Sequence, residues 1–257
     1  MTKKGARKKG IILILMIFLI SISFSISFAE PQLPIPKIGL SLDEARNPKE
    51  VANSIEILFL LTILALAPSI LIMMTCFTRI IIVLSFLRKA IATQTTPPNQ
   101  VLIGLALFLT FFVMAPVGSA INEKAIKPYL NEEISQEVAL ENAMEPIRSF
   151  MFKQTREKDL ALFIDISGSE KPKQLQDIPT KALIPAFIIS ELKTGFQIGY
   201  ILFIPFIVID MVVASTLMSM GMMMLPPVMI SMPFKILLFI LVDGWNLVIK
   251  SLIMGFK

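Results

Sequence analysis

The chain has 257 residues, 55% of them hydrophobic and 17% charged, against about 25% charged in soluble domains, and its mean hydropathy of +0.76 marks a membrane protein. With no histidine and a single cysteine, Cys76, it excludes histidine-based zinc sites, Ser-His and Cys-His nucleophiles and intramolecular disulfides; neither G-x-x-x-x-G-K-[ST] nor G-x-G-x-x-G occurs, so nothing points to ATP hydrolysis or dinucleotide binding. The net charge of +5 resides in Lys3, Lys4, Arg7, Lys8 and Lys9, the other 19 basic residues being matched by 19 acidic ones, and it gives no argument for nucleic acid.

Residues 1–29 have the three regions of a secretory signal: that basic cluster, the apolar stretch 11–20, and a small-residue ending with Ser27 and Ala29 set for cleavage after Ala29. The chain after cleavage then starts outside the cytoplasm. A Pro-rich, polar lead segment covers 30–54, and 55–87 is apolar but for Arg79 and a few small polar residues. As one straight helix that run would be about 50 Å long against about 30 Å of hydrocarbon, so it must kink, tilt or protrude, and Pro68 is the expected kink. Residues 88–100 carry Arg88, Lys89 and a Pro-Pro pair and form a turn; 101–117 is a second span. With a cleaved signal the Arg88/Lys89 turn falls in the cytoplasm, as the positive-inside rule prefers.

Residues 118–182 form the one long hydrophilic region, outside on this topology. Asn131 is the expected N-cap of one helix and Pro146 suits the first turn of another, on which Ile147, Phe150 and Met151 share a face. The second apolar half consists of the runs 182–213 and 234–253, joined by "STLMSMGMMMLPPVMISMPFK" (215–235), in which seven of the 16 methionines fall between Met218 and Met232. Charges interrupt this half at Glu191, Lys193, Asp210, Lys235 and Asp243. Such residues pair, line water or snorkel, and the expectation is a Glu191–Lys235 pair, within or between subunits, with Lys235 opening a helix just after Pro233.

By composition alone the methionines fill a membrane-embedded core. A soft copper(I) site is a further reading, unsupported by any nearby cysteine or histidine. For Phe150, Arg156 and Phe163 the alternatives are packing within the insertion and subunit contact, the latter because aromatic area and a planar donor fork are common interface anchors.

Several long segments, in order, resemble the FliP family of flagellar type III export-gate components. They are "MTCFTRIIIVLSFLRKAIATQTTPPNQVLIGLALFLTFFVMAP" (74–116), "FMFKQTREKDLALF" (150–163), "PAFIISELKTGFQIGY" (185–200), "GMMMLPP" (221–227) and "PFKILLFILVDGW" (233–245). The resemblance covers roughly residue 55 onward, and the leader favours the flagellar branch over its injectisome relatives. It implies an all-α membrane protein of long, kinked helical hairpins (55–117 and 183–257) around a small helical extracytoplasmic insertion. It further implies a pentameric arrangement with FliQ and FliR around a protein-conducting channel in the bacterial inner membrane, at the flagellar basal body, with FlhA and FlhB completing the apparatus and unfolded flagellar proteins as cargo. Energy would come from a separate ATPase complex and the proton-motive force. Assembled gates of this family sit partly above the membrane plane, so a hydropathic span need not face lipid.

The resemblance assigns Met222, Met223 and Met224 to a gasket that narrows the channel, on a loop bent by Gly221, Pro226 and Pro227. Unbranched, polarisable thioethers can close on one another and re-pack around varied chains, and an apolar constriction resists ions by dewetting. No enzyme activity, metal or cofactor is expected. The rival from another class is a stand-alone secondary transporter or ion channel with Glu191, Asp210 and Asp243 as an ion relay, for which no inverted repeat is evident.

Overall fold

A computed structural model describes residues 48–168, 174, 177–222 and 224–256. The expected signal peptide, its cleavage point at Ala29, most of the lead segment and Met223 lie outside the described residues. The chain divides into two units, 1–54 and 55–257, and the second holds the architecture of interest.

The helices are α1 (Pro48–Met73), α2 (Phe77–Ala90), α3 (Asn99–Ile121), a π-helical segment (Asn122–Ile126), α4 (Lys127–Leu130), α5 (Gln136–Gln154), α6 (Glu157–Ile166), α7 (Thr180–Ser219), α8 (Pro227–Leu241) and α9 (Gly244–Met254). No strand occurs among the described residues. Among the described residues two helical stretches are long and apolar enough to cross a membrane: Asn99–Leu130, which joins α3 to α4, and α7; α8 and α9, bent by 65° at their junction, form a third candidate. At about 1.5 Å per residue α7 is about 60 Å long, twice the hydrocarbon thickness.

The first apolar run breaks where Pro68 does not predict it. Helix α1 continues through Pro68, and the break comes at residues 74–76. There Thr75 Oγ1 donates to Ile72 O at 2.6 Å and accepts from Phe77 N at 3.3 Å, so a side chain replaces the helical ladder across the gap. The two pieces differ in burial: α1 exposes Leu58, Phe59 and Leu64, whereas α2 buries Ile80, Val83, Leu84 and Leu87.

Three further boundaries differ from expectation. Ser135, not Asn131, caps α5, its Oγ accepting from Val138 N at 3.4 Å, while Asn131 closes α4 through its N–H to Lys127 O. Pro146 lies inside α5, which burial of Phe150 and Met151 holds together, packing outweighing local propensity. Pro233 and Lys235 both lie inside α8, which starts at Pro227.

The core forms on α7, against which α2, α6, α8 and α5 pack, with α3 against α2 and α5. The α2–α7 seam is close because two glycines of α7 face it. A Cβ on Gly195 would meet Ile82 at 3.2 Å, and one on Gly199 would meet Phe86 Cγ at 2.5 Å. This four-residue spacing of small residues is how apolar helices approach each other in lipid. Position numbers rise together along the seam, Ile82 with Gly195 and then Phe86 with Gly199, so α2 and α7 run in the same direction. Gly199→Ala should lower the stability of the purified protein in detergent by about 1–3 kcal/mol, the usual cost of overpacking. Phe86→Leu in the same chain should recover part of it, as read by thermal unfolding.

Candidate functional site

Two structures recommend themselves: the buried charges, because charge in an apolar interior is costly, and the methionine loop, because it projects.

Arg79 on α2 and Glu191 on α7 form an ion pair with side chains 5% and 0% exposed. One edge of the guanidinium grips both carboxylate oxygens, Nε donating to Oε2 at 3.0 Å and Nη2 to Oε1. Its remaining donors are also used: Nη2 donates to Gln154 Oε1 at 2.9 Å and Nη1 to Gly255 O at 3.3 Å. The cation lies 4.1 Å from the Phe256 ring centroid. A planar fork is suited to such multiple contact, where an ammonium is not.

Lys235 pairs elsewhere. Its Nζ lies 2.6 Å from Asp210 Oδ2 across the α7–α8 hairpin, and the other Asp210 oxygen accepts from the fully buried Ser231 Oγ. The expected Glu191–Lys235 pair is therefore replaced within the chain by two separate pairs. The reason is geometric: Glu191 lies far down α7 from the hairpin turn, and α8 is too short to bring Lys235 back to it. Asp210 and Lys235, by contrast, stand equally far in sequence from the turn. That symmetry was the available signal for the second pair; Arg79, the lone charge inside its apolar run, was the signal for the first.

Helix α7 ends in a Schellman motif. Gly221 has φ +75°, its N–H reaches Met218 O and the Met222 N–H reaches Leu217 O, both at about 3 Å, which is the 5→2 and 6→1 pattern that a left-handed residue closes. Pro226 then precedes α8 and Pro227 is its first residue, where a missing N–H costs nothing. Between them Met222 is 47% exposed and Met224 97%, with Met220 and Leu225 also exposed beside them. A helix cap and a proline start thus turn the chain through a short loop that carries bare thioethers.

The three residues expected at a subunit contact have partners inside the chain. Phe150 is buried, edge-on to Phe187 with ring centroids 6.0 Å apart, so most of its ring is already covered within the chain. The Arg156 guanidinium donates to Thr194 Oγ1 at 3.1 Å and to Gln197 Oε1, and its backbone N–H donates to Ser190 Oγ at 3.0 Å; Ser190 in turn donates to the buried Asp159 at 2.7 Å. Arg156 thereby ties the start of α6 to α7. Phe163 packs against the core while remaining partly open. Asp243 is exposed, left-handed with φ +49°, at the α8–α9 break.

Residues 60–252 match the family described as the FliP family. Flagellar biosynthetic protein FliP of Bacillus subtilis (strain 168) is 60% identical over 84% of this chain and 98% of its own length. The same-named proteins of Pectobacterium carotovorum subsp. carotovorum and Aquifex aeolicus (strain VF5) are 56% and 49% identical, over 79% and 87% of this chain and 79% and 92% of theirs.

Removing one partner of a buried pair strands the other charge and costs about 3–5 kcal/mol. Arg79→Met and Glu191→Gln should each therefore sharply lower the unfolding midpoint in detergent, and Arg79→Met/Glu191→Leu should cost less than Arg79→Met alone.

Proposed function

The chain belongs to the FliP family, and on that basis we propose that it is a channel-forming subunit of the flagellar type III export gate, conducting unfolded flagellar proteins across the bacterial inner membrane. It acts in a pentameric arrangement with FliQ and FliR, alongside FlhA and FlhB, at the flagellar basal body. Its work is gated passage, with no covalent chemistry.

The observation that carries this reading is the methionine hairpin tip. Exposed apolar side chains on a loop held by a helix cap at one end and prolines at the other are poorly explained as core filler, since they touch no core. In a ring of copies, the tips carrying Met222, Met223 and Met224 form a soft constriction. Unbranched side chains let it shut in the absence of cargo and re-pack around a passing chain, and its apolarity resists hydrated ions.

The second support is the amount of uncovered apolar surface. Helix α1 and the α3 side chains Phe108, Phe111 and Phe112 are exposed, far more than a soluble monomer tolerates, and lipid or neighbouring subunits must cover them. Phe163, with exposed Leu162 and Ile166 beside it on α6, offers such a contact in the insertion, and Arg156 sets the angle at which α6 presents it.

The test is complementation of a strain lacking the gene, with the native chain and with Met222→Ala/Met223→Ala/Met224→Ala, measuring secreted flagellin and ion leak in the same cells. The native gene should restore secretion without leak, and the triple variant should assemble yet leak. A tight triple variant would return the methionines to a packing role; a native gene that restores nothing in a compatible host would overturn the export reading.

A further inference from the structure

The α8–α9 arm is pinned at its far end by residues whose other duty is the core ion pair. After the 65° bend at Val242–Asp243, α9 runs back until Gly255 and Phe256 reach α2 and α5. There Arg79 Nη1 donates to Gly255 O, the guanidinium faces the Phe256 ring, and Gln154 Nε2 donates to Phe256 O at 3.4 Å. Phe256 also closes one wall of a cavity of about 400 Å³ beside Pro116, Val117, Phe150 and Gln154. The bend itself is tightly made, since a Cβ on Gly244 would meet the Phe239 ring at 2.2 Å, and Phe239 stands edge-on to Trp245.

The near end of the same arm is the methionine loop. We propose that Arg79 and Gln154 are positioning residues for that loop: by clamping Gly255–Phe256 they fix the far end of α8–α9, and together with the Lys235–Asp210 pair they set how α8 lies against α7 and hence where the loop projects. The arm is then tethered at two points, one halfway along α8 and one beyond α9. Glu191 fixes Arg79 in place, so the α2–α7 seam and the loop share one reference point. The functional meaning of this device rests on the pore-loop reading, but its physical content does not.

The experiment is hydrogen–deuterium exchange on the purified full chain in detergent, which needs no export. Gln154→Leu and Phe256→Leu each remove clamp contacts while keeping bulk and the Arg79–Glu191 pair. Loss of a hydrogen bond or of the ring–guanidinium stack at the clamp should raise local opening about fivefold, so amides of α9 and of the first turns of α8 should exchange about fivefold faster, with α2 and the middle of α7 unchanged. Faster exchange confined to α9 would overturn the proposal, because the clamp would then hold only its own segment. Equally faster exchange throughout would overturn it too, because these residues would be supporting the whole fold. Either result leaves the export reading to its own test in cells.

Discussion

The buried pair of Arg79 and Glu191 is the constraint on which the rest of the structure depends. Taking two ions out of water costs several kcal/mol each, and their attraction compensates only when the geometry is excellent and the spare donors are satisfied. Here both conditions are met within one chain: both carboxylate oxygens are gripped by one edge of the guanidinium, and further donors meet Gln154 and the Gly255 carbonyl. Such a pair stabilises one arrangement and makes its neighbours untenable, because sliding α2 by one turn would strand both charges. It acts as a register pin.

The glycines exploit the register that the pin defines. Going from Glu191 to Gly195 to Gly199 advances one turn of α7 at a time, and the facing residues Arg79, Ile82 and Phe86 advance in step on α2. Helices at such a parallel seam enter from the same side of any sheet-like boundary. Asp210 and Lys235 fix the antiparallel α7–α8 hairpin in the same manner. One pair sets a parallel contact, the other an antiparallel one, and the methionine loop hangs from the second.

Much of this was legible in the residues. Apolar runs, their helical class and the turn at 88–100 follow from composition and from a Pro-Pro pair, which act locally. What sequence reasoning missed were choices made by tertiary contact. Pro146 and Pro233 stand inside helices because a proline costs about 3 kcal/mol and burial of one flank can exceed that; Pro68 also stands inside a helix, though its flanks are exposed. The break went instead to Thr75, whose hydroxyl could stand in for the lost backbone bonds. Charge pairing failed for a different reason: opposite signs say that a pair exists but not which one, and only the hairpin's symmetry about its turn selects Asp210 for Lys235. Phe150 shows the same limit, since an aromatic on an amphipathic face reads alike whether its cover is another subunit or Phe187.

The distribution of the carboxylates also bears on how an apolar chain with so few charges can work. An ion relay needs titratable groups within reach of one another along a wet path. From Glu191 to Asp210 the helix rises about 28 Å at about 1.5 Å per residue, each carboxylate is occupied by its own cation, and Asp243 is exposed at a helix break rather than facing either. Charges arranged like this do not hand protons on. They hold helices in place, and the methionine loop that joins α7 to α8 carries no charge. On the pore-loop reading proposed above, ionic pins behind an apolar tip are what a constriction would need in order to deform around a passing chain and then return to the same closed position.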